Sequence, residues 1–391
     1  MTRIDLSDAE VVDAHCHPYR TEELLGRDPA TFETRNMFLG TALISSRHAD
    51  HDAAAFVDQL TDSTVFGLAL RRWLAAYLGC EPTKEAVAAA RDAAFRADPP
   101  GYAKALLDDE HIVAVVAEEG YPQPTIPRAE FETALGGIAV HRVGRIEPWI
   151  LEAREAGTFD GTVERFEQTL REAAADPHLV AYKTIIAYRT GLDVTDPEPA
   201  EAGAAYQRWR DGEWPETRAD AKPVRDFLFR RAIAIAKEVD RPFHVHVGGG
   251  DPDINLAHAR PQDVFPLLVE HQDLPIVLIH AGYPWVVEAA YVASVLPNVY
   301  LEISELVPWG FGQVDAALEA VLGAVPGAKV LHGSDEASEP EMFWVSARLV
   351  RRSLERVLSS FVERDWLTVD EGERIGRGVL ADNVRMLHGI P

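Results

Sequence analysis

The sequence predicts an α/β protein, a (β/α)8 TIM barrel, on three observations. Eight short runs rich in Val, Ile and Ala recur along the chain, most followed by a longer stretch with helical spacing. The runs are continuously apolar rather than alternating, which is the pattern of parallel strands buried on both faces. Most of them also carry an ionisable residue near their ends, and this fold gathers its polar chemistry at the C-terminal ends of its strands.

The runs are VVDAHCH (11–17), IVAVVAEEG (112–120), VHRVGRIEP (140–148), LVAYKTIIAYR (179–189), PFHVHVG (242–248), PIVLIHAG (275–282), VYLEIS (299–304) and VLHGSDE (330–336). Amphipathic stretches such as 221–239 and 339–363 supply the outer helices. Residues 18–110 are too long for a βα loop. Their interior reads as helix in pieces, including STVFGLAL (63–70) running into RRWLAAYLG and then EAVAAARDAAFRA (85–97). We expect one barrel domain over 1–391, with 18–110 as a helical insert packed over its top. A smaller insert, 196–220, follows the fourth strand.

Hydrophobic residues at 47% and charged residues at 26% match ordinary globular usage. No segment is long and apolar enough to cross a bilayer, and the N-terminus lacks the basic start and apolar run of a secretory signal, so a cytoplasmic protein is expected. Two cysteines, Cys16 and Cys80, make a disulfide framework implausible and exclude a four-cysteine zinc site. A formal charge of −25 repels nucleic acid and anionic membranes, leaving a small molecule as the expected partner. Exposed apolar faces on the insert are compatible with a homo-oligomer.

Residues two apart on a strand share a face, so His15 and His17 point together while Cys16 points away to pack. An isolated HxH is equally a metal pair or two satisfied histidines. His246, His280 and Asp335 end three further strands at the same level, and imidazole with carboxylate suits zinc, with manganese or iron as alternatives. Lys183 interrupts an apolar strand, where an unpaired ammonium is costly. It is either ion-paired, to Asp335 or another carboxylate, or a carbamate formed with carbon dioxide and able to bridge two metals. His244 lies deeper than His246 and is a lesser ligand candidate. His332 reads as packing. Arg47, His48 and His51 are either a lid or plain loop residues.

These landmarks, HCH, AYK, HVG, IHAG and GSD in that order, resemble the amidohydrolase superfamily. YKTIIAYRTGL, FHVHVGGGDPD, VLIHAGYPWVVEAAYVASVLPNVYLEIS, GSDEASEPEMFWVSAR and ADNVRMLHG look like its amidohydrolase-2-like branch, related to the domain fused to glutamine synthetase in nodulin-type proteins. The resemblance implies that His15, His17 and Asp335 bind one metal, that carbamylated Lys183 bridges, and that His246 and His280 bind a second. The doubled His244 and His246 departs from the usual strand-five pattern, although GGGDPD aligns His246 with the ligand position.

The expected function is metal-dependent hydrolysis of an amide-type C–N bond in a small carboxylated substrate. Asp335 is ligand and base, His280 the other catalytic residue, and Arg189 the partner of the substrate carboxylate; Glu119, Tyr121 and Asp251 are candidate pocket residues. The alternatives are a one-metal decarboxylase or uronate-isomerase-like enzyme, in which Lys183 is an ion-pair lysine, and a metal-free binding barrel.

Overall fold

A computed structural model describes residues 3–37, 51–215, 217–337 and 339–391. Eight strands lie in one sheet in sequence order: β1 Val11–Cys16, β2 Ile112–Glu118, β3 Ala139–Arg145, β4 Leu179–Thr184, β5 Phe243–His246, β6 Ile276–Ile279, β7 Val299–Glu302 and β8 Val330–Leu331. Each pairs in parallel with the next. Beyond the short β8 the chain closes the ring on β1. Ala14 N donates to His332 O at 2.8 Å, Asp335 N to His15 O at 2.8 Å, and His17 N to Glu336 O at 2.5 Å. The predicted (β/α)8 barrel is the observed architecture, and its closure sets Asp335 beside the two histidines of β1.

Alternation along the strands sorts side chains into two apolar groups. Val12, Ala114, Val116, Val143, Ala181, Val277, Ile279 and Leu331 pack together within the barrel, with Ala381, Val384 and Ile390 from the C-terminal segment joining them. Val115, Tyr182, Phe243, Val245, Leu278 and Leu301 belong to the larger core shared with the helices. The predicted helices at 221–239 and 339–363 are Arg218–Glu238 and Glu341–Glu363.

Two strands end sooner than their apolar runs suggested, each for a local reason. After β4, the Thr184 hydroxyl accepts from Ile186 N at 3.1 Å and the chain turns into the short helix Ile186–Arg189. After β6, His280 and Ala281 adopt left-handed φ angles of 71° and 46°, which no strand can continue.

Between β1 and β2 lie the helices Thr21–Leu25, Phe32–Arg35, His51–Thr61, Val65–Leu78, Lys84–Ala97 and Pro99–Asp109. They meet the loops that follow β7 and β8. Phe66 and Trp73 stack on Phe311 at 6.0 and 5.8 Å, and Arg91 bonds Glu339 and Glu341 at 2.6 and 2.7 Å. Arg47, His48 and the side chain of His51, weighed as a lid, lie outside the described residues. Among those residues, no helix is long and apolar enough to cross a membrane.

Candidate metal centre

The alternation that fills the barrel brings a polar residue inward at the top of most strands: Glu118 on β2, Arg145 on β3, Lys183 on β4, His246 on β5 and Glu302 on β7. On β1 a register irregularity between Asp13 and Cys16 accompanies the change from apolar interior to metal-type donors. His15 and His17 face one way, while Cys16 points to Val116 O at 3.8 Å and packs in the outer core. His280 and Asp335 enter the mouth from left-handed backbone, at φ 71° and 53°.

The donors form two groups. In the first, Asp335 Oδ1 lies 3.2 Å from His15 Nε2 and 3.4 Å from His17 Nε2. In the second, His246, His280 and Glu305 each present one donor atom within 4.8 Å of the others. The His246 and His280 rings are 4.5 Å apart, and the His15 and His280 rings, one from each group, are 5.6 Å apart. Lys183 Nζ sits 2.8 Å from His15 Nε2 and 3.9 Å from Glu118 Oε2. Glu118 also faces His17 Nδ1 at 3.5 Å and is held by Arg145.

Burial sets the protonation states. It pulls His15 and His246 down to about 3, with Lys183 adding in each case, and pushes His280 well below its usual value. All three are neutral, as metal-ligating imidazoles must be. Burial also lowers the Lys183 ammonium, against the opposing pull of Glu118. Although burial disfavours the Glu118 carboxylate, Arg145, then His17 and Lys183, bring it to about 2. Asp335 is likewise held well below the usual carboxylate range, against burial, by the imidazoles of His280, His15 and His17.

Other groups fix the donors in place. Asp13 Oδ1 accepts from His15 N and Ser334 N at 3.0 and 3.1 Å, tying β1 to the loop that carries Asp335. Glu302 accepts from His280 N at 3.2 Å and from the Ser304 hydroxyl at 2.7 Å. The glycines of HVG and GSD are steric requirements. Gly248 has φ +96°, and a Cβ at Gly333 would stand 2.4 Å from Glu302 Oε1 and 3.0 Å from His15 N.

His15, His17, Lys183, His246, His280 and Asp335 are therefore gathered in one mouth, but the expected pocket residues fare differently. Glu119 faces outward and grips Arg142, whose Nε lies 2.6 Å from its Oε1; the inward carboxylate of β2 is Glu118, one residue earlier. Tyr121 borders the mouth, its ring 6.0 Å from His17. Arg189 is exposed, and Tyr188 instead packs 4.7 Å from His246 and meets Asp251 N at 2.9 Å. His244 is a layer lower, 5.1 Å from His388 in the helix Asn383–His388. His332 is buried outside the mouth, its backbone N bonded to Val379 O at 3.0 Å. Sequence reasoning missed Glu118, Arg145, Glu302 and Glu305. Strand parity was the signal for the first three; Glu305 lies in a loop and carried none.

Comparison with known proteins agrees with this fold. The chain is 26% identical to the FluG protein of Emericella nidulans in an alignment of 334 residues that covers 78% of this chain but only 38% of that protein. A protein from Lactobacillus casei ATCC 334 assigned as a metal-dependent hydrolase shares the fold, with a TM-score of 0.80, 23% identity, and coverage of 99% of this chain and 98% of that one. Uronate isomerases from Thermotoga maritima and Bacillus halodurans C-125 also share it. Their TM-scores are 0.69 and 0.64, at 16% and 14% identity, covering 98% and 99% of this chain and 95% and 94% of theirs. The family model described as amidohydrolase matches residues 150–383, more than half of the sequence and the stretch from β4 to β8 that supplies Lys183, His246, His280 and Asp335, and the chain belongs to the amidohydrolase family.

Proposed function

We propose that the mouth is a binuclear metal centre, with zinc in both positions and manganese or iron as alternatives, and that the enzyme hydrolyses an amide-type C–N bond in a small carboxylated substrate. The observation that carries this reading is the pair of donor groups standing side by side at the strand ends, with Lys183 against the first. The residues fit divalent ions. Imidazoles converge with carboxylates in a buried mouth: His15 Nε2 and His17 Nε2 stand 3.2 and 3.4 Å from Asp335 Oδ1, and Glu305 Oε2 has no hydrogen-bond partner among the described residues. Such a donor set, nitrogen and carboxylate oxygen without thiolate, suits zinc and its harder neighbours.

Bound there, divalent ions supply Lewis acidity, making water a nucleophile at neutral pH and polarising a carbonyl. Asp335, held ionised with His15 Nε2 and His17 Nε2 at 3.2 and 3.4 Å, takes the proton from the attacking water and returns it to the leaving nitrogen. His280 stands between the two groups and serves both the second ion and the reacting centre. Burial lowers the Lys183 ammonium, and its neutral amine would add through its lone pair to carbon dioxide: an N–C bond would form as one C–O π bond opens onto oxygen, the proton would pass to solvent, and the anionic carbamate would lie beside the two donor groups. Tyr121 forms one wall. Arg189, at the exposed rim, is the guanidinium offered to the substrate carboxylate as it enters. The protein then acts in the cytoplasm on a small molecule rather than on nucleic acid or membrane, with self-association into a homo-oligomer open to it.

A second reading has its own support. Glu118, 3.9 Å from Lys183 Nζ, is an ion-pair partner, and an ammonium there would make the centre a one-metal lyase or isomerase. Small γ-glutamyl-type amides and anilides, assayed with zinc or manganese and bicarbonate, separate the two. We expect release of the amine, with Asp335→Asn lowering kcat by roughly 10²–10⁴-fold. Turnover of a uronate or decarboxylation of an acid, with the amides untouched, would establish the second reading instead.

A further inference from the structure

We infer that Glu305, in the loop after β7, is a ligand of the second ion, so that His246, His280 and Glu305 form a three-donor divalent-cation site within the chain itself. The inference builds on the metal-dependent reading and adds a carboxylate to the ligands that the strand-end histidines supply.

Three observations carry it. Glu305 is 3% exposed, and its Oε2 accepts no hydrogen bond among the described residues, a state that a buried carboxylate rarely sustains without a cation. Its Oε1 lies 3.8 Å from His280 Nε2, beyond hydrogen-bond range. Two ligands of one tetrahedral ion, with bonds of about 2.0–2.1 Å, stand roughly 3.3 Å apart, so this pair has the spacing of shared ligands with little movement to make.

The two histidines are also held so that each has a lone pair to give. Gly249 O, 2.7 Å from His246 Nε2, can only accept, so that nitrogen carries the proton and Nδ1 is the donor atom. The Ser304 hydroxyl donates to Glu302, so it accepts from His280 Nδ1 at 2.8 Å and leaves Nε2 facing Glu305.

The backbone agrees. Glu305 has φ 60°, a left-handed conformation that strains a non-glycine residue and concentrates at functional sites. His280 and Asp335 reach the mouth by the same device. Of the left-handed non-glycine residues among those described, these three are the ones whose side chains enter the two donor groups.

Titrating chelator-stripped protein with Co(II), followed by calorimetry and visible absorbance, tests the assignment. Wild-type protein should take up one ion per donor group. Glu305→Gln, nearly isosteric, should keep the first ion and weaken the second by more than the roughly 10–100-fold that loss of a ligand's hydrogen-bonding partner costs. Retention of the first ion doubles as the folding control, and Glu305→Asp should recover part of the second. If Glu305→Gln binds both ions within about tenfold of wild type, Glu305 is not a ligand although the metal-dependent reading stands. If wild-type protein itself binds one ion or none, the two-ion reading fails before Glu305 is at issue.

Discussion

His15 shows how a single residue serves fold and chemistry at once: its carbonyl closes the barrel by accepting from Asp335 N, while its ring faces the Asp335 carboxylate and Lys183. Its protonation has a consequence for the metal-free protein. His15, His246 and His332 are lowered to about 3 and His388 to about 4, in each case first by burial, against about 6.5 in the unfolded chain. Below pH 6.5 the unfolded state therefore binds more protons at these sites, and stability falls with acid. Burial raises Asp13 to about 7 and Glu302 to about 8, which works in the opposite sense: their stabilising contribution is lost as pH rises through those values. Four histidines outweigh two acids between pH 6.5 and 4.5, while the acids dominate above. The melting temperature of chelator-treated protein should peak near neutrality and fall on both sides; a plateau down to pH 4.5 would show that the buried imidazoles do not set it.

At this scale the sequence was most readable where one polar residue broke an apolar run. Lys183 in LVAYKT stood out as a charge in a buried strand, while FHVH offered both His244 and His246, and the GGGDPD that follows favoured His246. Glu118 and Glu119 were adjacent carboxylates, and only the parity of β2 separates the one facing Lys183 from the one gripping Arg142. Glu305 was not readable, because its direction follows from a left-handed φ in an irregular loop and not from any period.

Among the elements, the segment between β1 and β2 is joined to the site through charge. Arg91, in the helix Lys84–Ala97, bonds Glu339 and Glu341, and Arg35 reaches the same Glu339 at 2.6 Å. Glu339 begins the approach to the helix Glu341–Glu363, and its backbone N donates to Glu336, the residue after Asp335. The helices were legible from apolar spacing; in the structure caps such as Thr83, whose hydroxyl accepts from Ala86 N at 3.2 Å, fix where they begin. Their attachment was not, since Arg91 and Glu341 are 250 positions apart and no local pattern links them. Arg91→Leu leaves the buried Glu341 carboxylate with, among the described residues, the Tyr102 hydroxyl as its remaining side-chain partner. Removing one partner of a buried ion pair costs about 3–5 kcal/mol, and denaturant unfolding should register a loss of that order. A loss under about 1 kcal/mol would mean that the Arg91 pairs add little to the insert's other contacts.

For the whole molecule, the order of the strands dictates the site. Sequential parallel pairing places the ends of β1, β4, β5, β6 and β8 around one mouth, so polar side chains scattered from residue 15 to residue 335 meet without any being neighbours in sequence beyond the HCH pair. A chain with a formal charge of −25 thus keeps its metal-type donors buried within a ring of its own carboxylates and imidazoles. The barrel was predictable because eight buried strands leave a strong periodic mark. The relation of the two donor groups was less so, because it depends on closure between β8 and β1 and on the loop after β7. Anomalous scattering from crystals of protein purified without chelator, collected at the absorption edge of the bound metal, tests the central claim most directly. The account predicts two peaks, one among His15, His17 and Asp335 and one among His246, His280 and Glu305; a single peak, or none after soaking with zinc and bicarbonate, would contradict it.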